Sequence, residues 1–458
     1  MQERVVQTER EVNRDLLRPS LTVPLRFWVI LSFLSLVVLS SAIAFAIMIN
    51  KGVGVYGVNR PVMWGFLIVN FVFWVGISHA GVMLSAILRL AQAEWRRPAT
   101  RAAEVLTVFA LGTAALHPLL HSGRPWRTMY WVFPYDFGRG IWPDIRSPFV
   151  WDPSAIFTYL SGTIMFVFVL LVPDIAVLRD RTRGYMHQFY KVASLGWRGN
   201  ARQWKFQIIA GTLLSALILP VFVSVHSIVS WDFAVAVAVE GWHATIFAPY
   251  FVIGAVHSGV AGVITFLAIL RWLFRWEDYI RPEHFDALAR LMLVVSTAWF
   301  YFMVVDFGMG FYTGEAAEIE LRNLQMGTWP FNMLFMTFVL TGYLIPVPLW
   351  LLRNVRRSPV LMFWTSMFVN IGMWLERYIL IVPSLMQKQI LTFSWGSYAP
   401  SPVEVVLVIG TFGLVGTGLL IFTKVFPIIP LADLKEGKAF EQEVRIGKVT
   451  VPAVFREE

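Results

Sequence analysis

Gly76-Ile77-Ser78-His79-Ala80-Gly81-Val82 and Gly254-Ala255-Val256-His257-Ser258-Gly259-Val260 repeat one pattern, G-x-x-H-[AS]-G-V, each inside a long apolar run. Both copies are followed by A-I-L-R, at 86–89 and 268–271. Around them lie further apolar stretches of the roughly 20 residues that a helix needs to cross a bilayer. Ten are expected, over 27–49, 62–91, 99–121, 152–178, 205–230, 243–273, 286–308, 329–352, 359–383 and 402–426. The copies fall in the second and the sixth, so they enter the membrane in the same direction. That is a parallel repeat, with a pseudo-twofold axis along the membrane normal. The expected fold is all-α and integral to the membrane: two four-helix bundles (62–230 and 243–383) with peripheral helices at 27–49 and 402–426.

Composition agrees. Of 458 residues, 57% are hydrophobic and 15% charged, against about 25% charged in soluble domains. Without cysteine, the chain forms no disulfide and ligates no iron–sulfur cluster through thiolate, so any cluster belongs to a partner. The net charge of +9 is better read by its distribution than as a sign of nucleic acid. Of 38 Lys and Arg, 29 lie in or beside the arms 1–26 and 427–458 and the loops after the even-numbered helices, 8 in the loops after the odd-numbered ones, and Arg377 inside the ninth helix. The positive-inside rule then puts both termini in the cytoplasm. The arm 1–26 alternates Arg with acids and is no signal peptide. The tail from about 430 is polar and mixed in charge, expected to be solvated or laid on a neighbouring subunit, and the basic stretch 179–205 to meet anionic lipid.

Chemistry concentrates at 117–152, which opens H-P-L-L-H-S-G-R-P-W and closes R-S-P-F-V-W-D. His117, His121, Arg124, Arg146 and Asp152 cluster there with Trp126, Trp131, Trp142 and Trp151, where two helices meet an interface. Ionisable groups at a bundle mouth are costly, which makes them functional candidates. A two-electron, two-proton carrier such as a quinol needs a proton acceptor beside each hydroxyl, an apolar slot and a nearby electron acceptor. An imidazole titrating near neutrality and a carboxylate supply the first. His121 and Asp152 are the expected catalytic pair within the loop 122–151, with His117, Arg124, Trp126 and Arg146 as further quinol contacts; the plainer alternative is an ion-pair network that fixes the loop.

His79, His257, Asp306, Asp174, Glu376 and Arg377 are the other intramembrane candidates, as stations of a proton path or as packing partners. Bis-His haem needs facing histidines at matched depth, which His79 and His257, in separate bundles, need not provide. Nothing reads as a P-loop, a Rossmann fingerprint or a zinc triad, and no metal site is expected. A proton-coupled transporter fits a parallel repeat too, as does a non-catalytic anchor, but few helices show the broken middle of a transport site.

The run N-R-P-V-M-W-G-F-L-I-V-N-F-V-F-W-V-G-I-S-H-A-G at 59–81, with H-S-G-R-P-W at 121–126 and R-S-P-F-V-W-D at 146–152, resembles the NrfD/PsrC family of quinone-interacting membrane subunits. With ten helices and P-D-I-A-V-L-R-D-R at 173–181, the chain is most similar to the ActC branch in alternative complex III. The resemblance implies a subunit in the bacterial cytoplasmic membrane with no haem or cluster of its own. It implies menaquinol oxidation near the periplasmic face, with His121 and Asp152 at the family's quinol positions. It also implies partners: a periplasmic iron–sulfur subunit, haem c subunits and a second NrfD-like membrane subunit.

Overall fold

The computed structural model describes residues 9–121, 123–127, 138, 140, 142, 148–387, 395–440, 443–446 and 449–452. Its long helices are α2 (Leu25–Lys51), α3 (Phe66–Leu90), α4 (Thr100–His121), α5 (Pro148–Arg181), α7 (Ala201–Trp231), α8 (Phe247–Phe274), α9 (Pro282–Thr313), α11 (Phe331–Leu351), α12 (Pro359–Met386) and α13 (Pro402–Val425). Among the described residues, nine of these are long and apolar enough to cross a membrane. The tenth, α12, matches them with 28 residues but carries Asn370, Glu376 and Arg377, which lower its hydropathy. The protein is a multi-pass integral membrane protein whose membrane-spanning part is all-helical.

Between the long helices lie shorter ones: α1 (Glu9–Leu21), α6 (Gly184–Ala193), α10 (Ala316–Gly327) and α14 (Leu431–Phe440), followed by a hairpin of β1 (Glu443–Ile446) and β2 (Val449–Pro452). The N-terminal halves of α3, α5, α8 and α13 share one end of the bundle with His121; we call it the His121 end. The opposite end holds α1, α6 and α14.

The repeat helices α3 and α8 cross at their motifs. A Cβ at Gly76 would press on Ser258 and Ala255, and one at Gly259 would overlap Ala80 and crowd the Ile77 carbonyl. Small residues therefore let the two backbones meet. Around α3 pack α4 and α7, with α5 outside them; around α8 pack α9 and α12, with α11 against α12. The two helices outside these groups pair with each other, where Gly410, Gly413 and Gly416 of α13 sit against Ser41, Val37 and Leu34 of α2. At the His121 end, Glu404 closes the fold: it accepts from the backbone amides of Gly57 (2.7 Å) and Ser401 (2.9 Å) and from the Tyr398 hydroxyl (2.9 Å).

The polar tail is not simply solvated. Ile428, Ile429 and Leu431 are buried, and α14 docks on its own chain. The amides of Leu431 and Ala432 point at the Asp174 carboxylate (3.4 and 3.2 Å), the favourable place for an anion at a helix N-terminus. Arg89 and Arg96 reach Asp433 at 3.2 and 3.1 Å.

Candidate functional site

At the His121 end, α4 places His117 and His121 one turn apart, with ring centroids 5.9 Å from each other. His117 is buried; its Nδ1 donates to the Thr113 carbonyl (2.9 Å) and its Nε2 accepts from the Asn70 amide (3.2 Å). Asn70 also donates to Thr411, which takes the Trp74 indole N–H as well. His121 differs. Its Nδ1 donates to the His117 carbonyl at 2.7 Å, so Nε2 keeps its lone pair. That Nε2 is buried, with no hydrogen-bond partner, and the Phe71 ring stands edge-on to the imidazole at 6.4 Å.

Asp152 lies in the first turns of α5, at the same end. Its carboxyl meets that of Asp232, placed by a π-helical extension of α7 over Asp232–Val237. Asp152 Oδ1 and Asp232 Oδ2 are buried without further partners. No hydrogen bond among the described residues joins His121 to Asp152. Arg124 and Trp126 are exposed, and Arg146 lies outside the described residues.

Inside the membrane, His79 finds a partner that sequence reasoning missed. His226 Nδ1 lies 3.3 Å from His79 Nε2, and its own Nε2 lies 3.2 Å from the Phe251 carbonyl. His79 Nδ1 bonds the Val75 carbonyl, and Tyr159 stacks on the ring. His257 instead meets Ser296 Oγ (3.1 Å) and the Gly342 carbonyl (3.1 Å), under the Trp299 ring. Gly342 sits in a π-helical turn, Leu340–Leu344, that breaks the middle of α11. All four ring nitrogens of His79 and His257 are thus engaged with protein groups. An intramembrane histidine in P-V-F-V-S-V-H-S-I-V is itself a signal that points to His226.

The remaining candidates are paired. Asp306 binds Arg322 at 3.1 Å, both buried, and the guanidinium lies 4.2 Å over the Phe307 ring. Glu376 pairs with Arg377 and accepts from the Tyr250 hydroxyl and from the Trp299 indole (2.9 Å). Asp174 pairs with Arg101 at 3.2 Å, besides capping α14. Arg322, with Glu318 and Gln325, comes from α10, whose buried stripe at 318, 321, 322 and 325 has helical spacing but is too polar to stand out as a spanning segment. Between helices at this end, burial pushes the Glu240 carboxyl up, against His243 and with Glu315 and Glu318 adding to the rise. Glu240, His243 and Glu315 each offer one ligand atom within 4.8 Å of the others. His243 lies 3.7 Å from Glu240 and 3.9 Å from Glu315.

A polytopic helical bundle with buried ionisable side chains through its middle defines the class: a multi-pass integral membrane protein. The chain belongs to the NrfD family, described as polysulphide reductase, NrfD, which matches residues 54–389. It is similar to a putative dimethyl sulfoxide reductase membrane subunit of Halobacterium salinarum, 25% identical over 90% of this chain and 93% of the relative. It is also similar to a selenate reductase subunit of Mesobacillus selenatarsenatis, 20% identical over 88% of this chain and 94% of the relative.

Proposed function

We propose that this chain is the quinone-interacting membrane subunit of an oxidoreductase complex and oxidises menaquinol at the His121 end. The observation that carries the reading is the bonding of His121: Nδ1 is committed to the His117 carbonyl, which leaves Nε2 as a buried acceptor. Oxidation of the quinol releases two electrons and two protons. His121 Nε2 takes one hydroxyl proton, and the Asp152–Asp232 pair, with two unbonded carboxyl oxygens, takes the other. The electrons leave to an iron–sulfur cluster on a partner, as the family resemblance implies; this chain, without cysteine, holds no thiolate-ligated cluster. Phe71 beside His121 supplies part of the apolar slot. His117, Arg124, Trp126 and Arg146 are secondary contacts to the ring or the loop around it.

The Lys and Arg distribution supports cytoplasmic termini in a bacterial inner membrane and a periplasmic His121 end. The partner set supported by the resemblance is that of alternative complex III: an iron–sulfur subunit, haem c subunits and a second NrfD-like subunit. The names of the two relatives favour a second destination, a reductase module that consumes the electrons. His79, His226, His257, Glu376, Arg377 and Asp306 form the path along which protons move, with Asp174 at the opposite end.

The test is quinol:acceptor activity of the assembled complex with His121→Ala and Asp152→Asn. Activity within twofold of wild type for both, at unchanged assembly, removes the site assignment. For the path, Asp306→Asn and Glu376→Gln are expected to change proton movement more than electron transfer; equal loss of both refutes a separate route.

A further inference from the structure

At the end opposite His121, a cavity of about 420 Å³ lies between α4, α5, α7 and the docked tail. Its inner wall is charged. Arg101 and Glu104 are almost wholly buried, and Arg89 stands beside them. Its outer wall is apolar: Trp204 and Ile208 of α7 line it and are also exposed on the outer surface of the bundle, Ile208 by 65%. The cavity therefore joins a polar interior to a lipid-facing surface at the level of the helix ends.

The hydrogen bonding of the inner wall is incomplete in both senses. Arg89 Nε has no partner; Arg101 Nε and Nη1 reach Glu104 and Asp174 only as ion-pair contacts of 3.5 and 3.2 Å. Glu104 Oε2 likewise has no hydrogen-bond donor. Buried donors and acceptors left unbonded are costly, so this wall suits a ligand that brings both an anionic acceptor and a cationic donor. The protein charges there come close to balance: Arg89, Arg101 and Lys435 line the cavity with Glu104, Asp174, Asp433 and Glu436, and Arg96 behind the wall also binds Asp433. A net-neutral headgroup keeps that balance, and a simple anion does not.

We infer that this cavity binds an aminophospholipid. The phosphodiester accepts from Arg89 and Arg101, the primary ammonium donates to Glu104, and the acyl chains leave along Trp204 and Ile208. Phosphate recognition by guanidinium is the strong, charge-assisted kind, and pockets between membrane helices at a basic face are known to suit headgroups. The occupant is a structural lipid at the end away from the quinol site.

The experiment uses the delipidated, detergent-purified chain. Its thermal midpoint is titrated with short-chain phosphatidylethanolamine, phosphatidylcholine, phosphatidylglycerol and inorganic phosphate, and native mass spectrometry counts retained lipid. Phosphatidylethanolamine is expected to raise the midpoint at a concentration at least tenfold below the others. Glu104→Gln is expected to erase the preference over phosphatidylcholine, which has no ammonium hydrogen to donate. Arg89→Gln is expected to weaken every phospholipid tenfold; because Arg89 also holds Asp433, Ile208→Trp, at an exposed position, provides a second variant that narrows the entrance and lowers retained lipid without touching the tail. Equal response to all three lipids, a response to inorganic phosphate alone, or no response and no retained lipid, the mark of a water-filled cavity, each overturns the inference.

Discussion

The two halves of the molecule carry the same seven-residue pattern and use it differently. In the first, His79 faces another titratable ring, His226, under Tyr159. In the second, His257 faces a hydroxyl and a carbonyl under Trp299. The glycines diverge as well. Gly81 receives Ala103 and Thr107 of α4, whereas its counterpart Gly259 receives Ala80 of α3; Gly76 faces α8, whereas Gly254 faces Arg377 and Trp299. The repeat thus preserves close backbone approach while the chemistry around it has separated. Around the motif, imidazoles with exchangeable roles gather in the first half; the ion pairs Asp306–Arg322 and Glu376–Arg377 stand on the helices of the second.

That contrast can be broken most forcefully at the second half's ion pair. Arg322→Met strands the Asp306 carboxylate in a dry site, and losing one member of a buried pair costs about 3–5 kcal/mol. Unfolding of the purified protein is expected to shift accordingly, and the double variant Arg322→Met/Asp306→Asn to recover most of it; no recovery means the two are not a pair. In the first half the expected loss is of rate. His121→Ala is expected to lower quinol oxidation about 100-fold, the low end for a general base, while His257→Gln leaves it within a few-fold. Similar losses for both would erase the distinction between the halves.

A smaller effect sharpens the packing comparison. Gly259→Ala forces a methyl onto Ala80 and is expected to destabilise by about 1–3 kcal/mol, the usual cost of overpacking; Gly112→Ala, where a Cβ meets nothing within 4 Å, is the control and leaves the thermal midpoint unchanged. The smallest effect belongs to the tail. Burial pushes the Asp433 carboxyl up, but Arg89 and Arg96 outweigh it and hold it below the usual carboxylate range. The contribution is therefore complete above the unfolded value of about 3.9 and fades as the pH falls through the lower folded one. The midpoint difference between wild type and Asp433→Asn, about 1 kcal/mol or less for a partly exposed pair, should hold from pH 8 to 5 and shrink below 4.

The spanning helices were legible because an apolar run of bilayer length has few other uses. Their observed limits differ from the expected ones mainly where a polar end continues the helix, as in α5, which begins at Pro148 and runs to Arg181. What escaped sequence reading was burial achieved by pairing. Arg322 of α10, and Arg101 and Glu104 of α4, look like interfacial charges along the chain, yet they are buried because each finds a partner on another helix: Asp306, Asp174 and Ser85. The tail misled for the same reason: Asp433 reads as solvent-facing until Arg89 and Arg96, over 300 residues earlier, are placed beside it. Of the candidate site, His121 and Asp152 stand in motifs, whereas Asp232 gains meaning only through the π-helical turn that brings it to Asp152. Nothing in linear spacing announces such a turn.

One contact bears on how the protein is made. Lys424 reaches back to the carbonyls of Pro19 and Thr22, and Ser20 to that of Thr423, across some 400 residues of intervening chain. The amphipathic α1 can therefore acquire its final neighbour only after every helix between has left the ribosome and entered the bilayer. Its contact with α13 is thus the last of these long-range joints to close, and it exists only in a complete bundle.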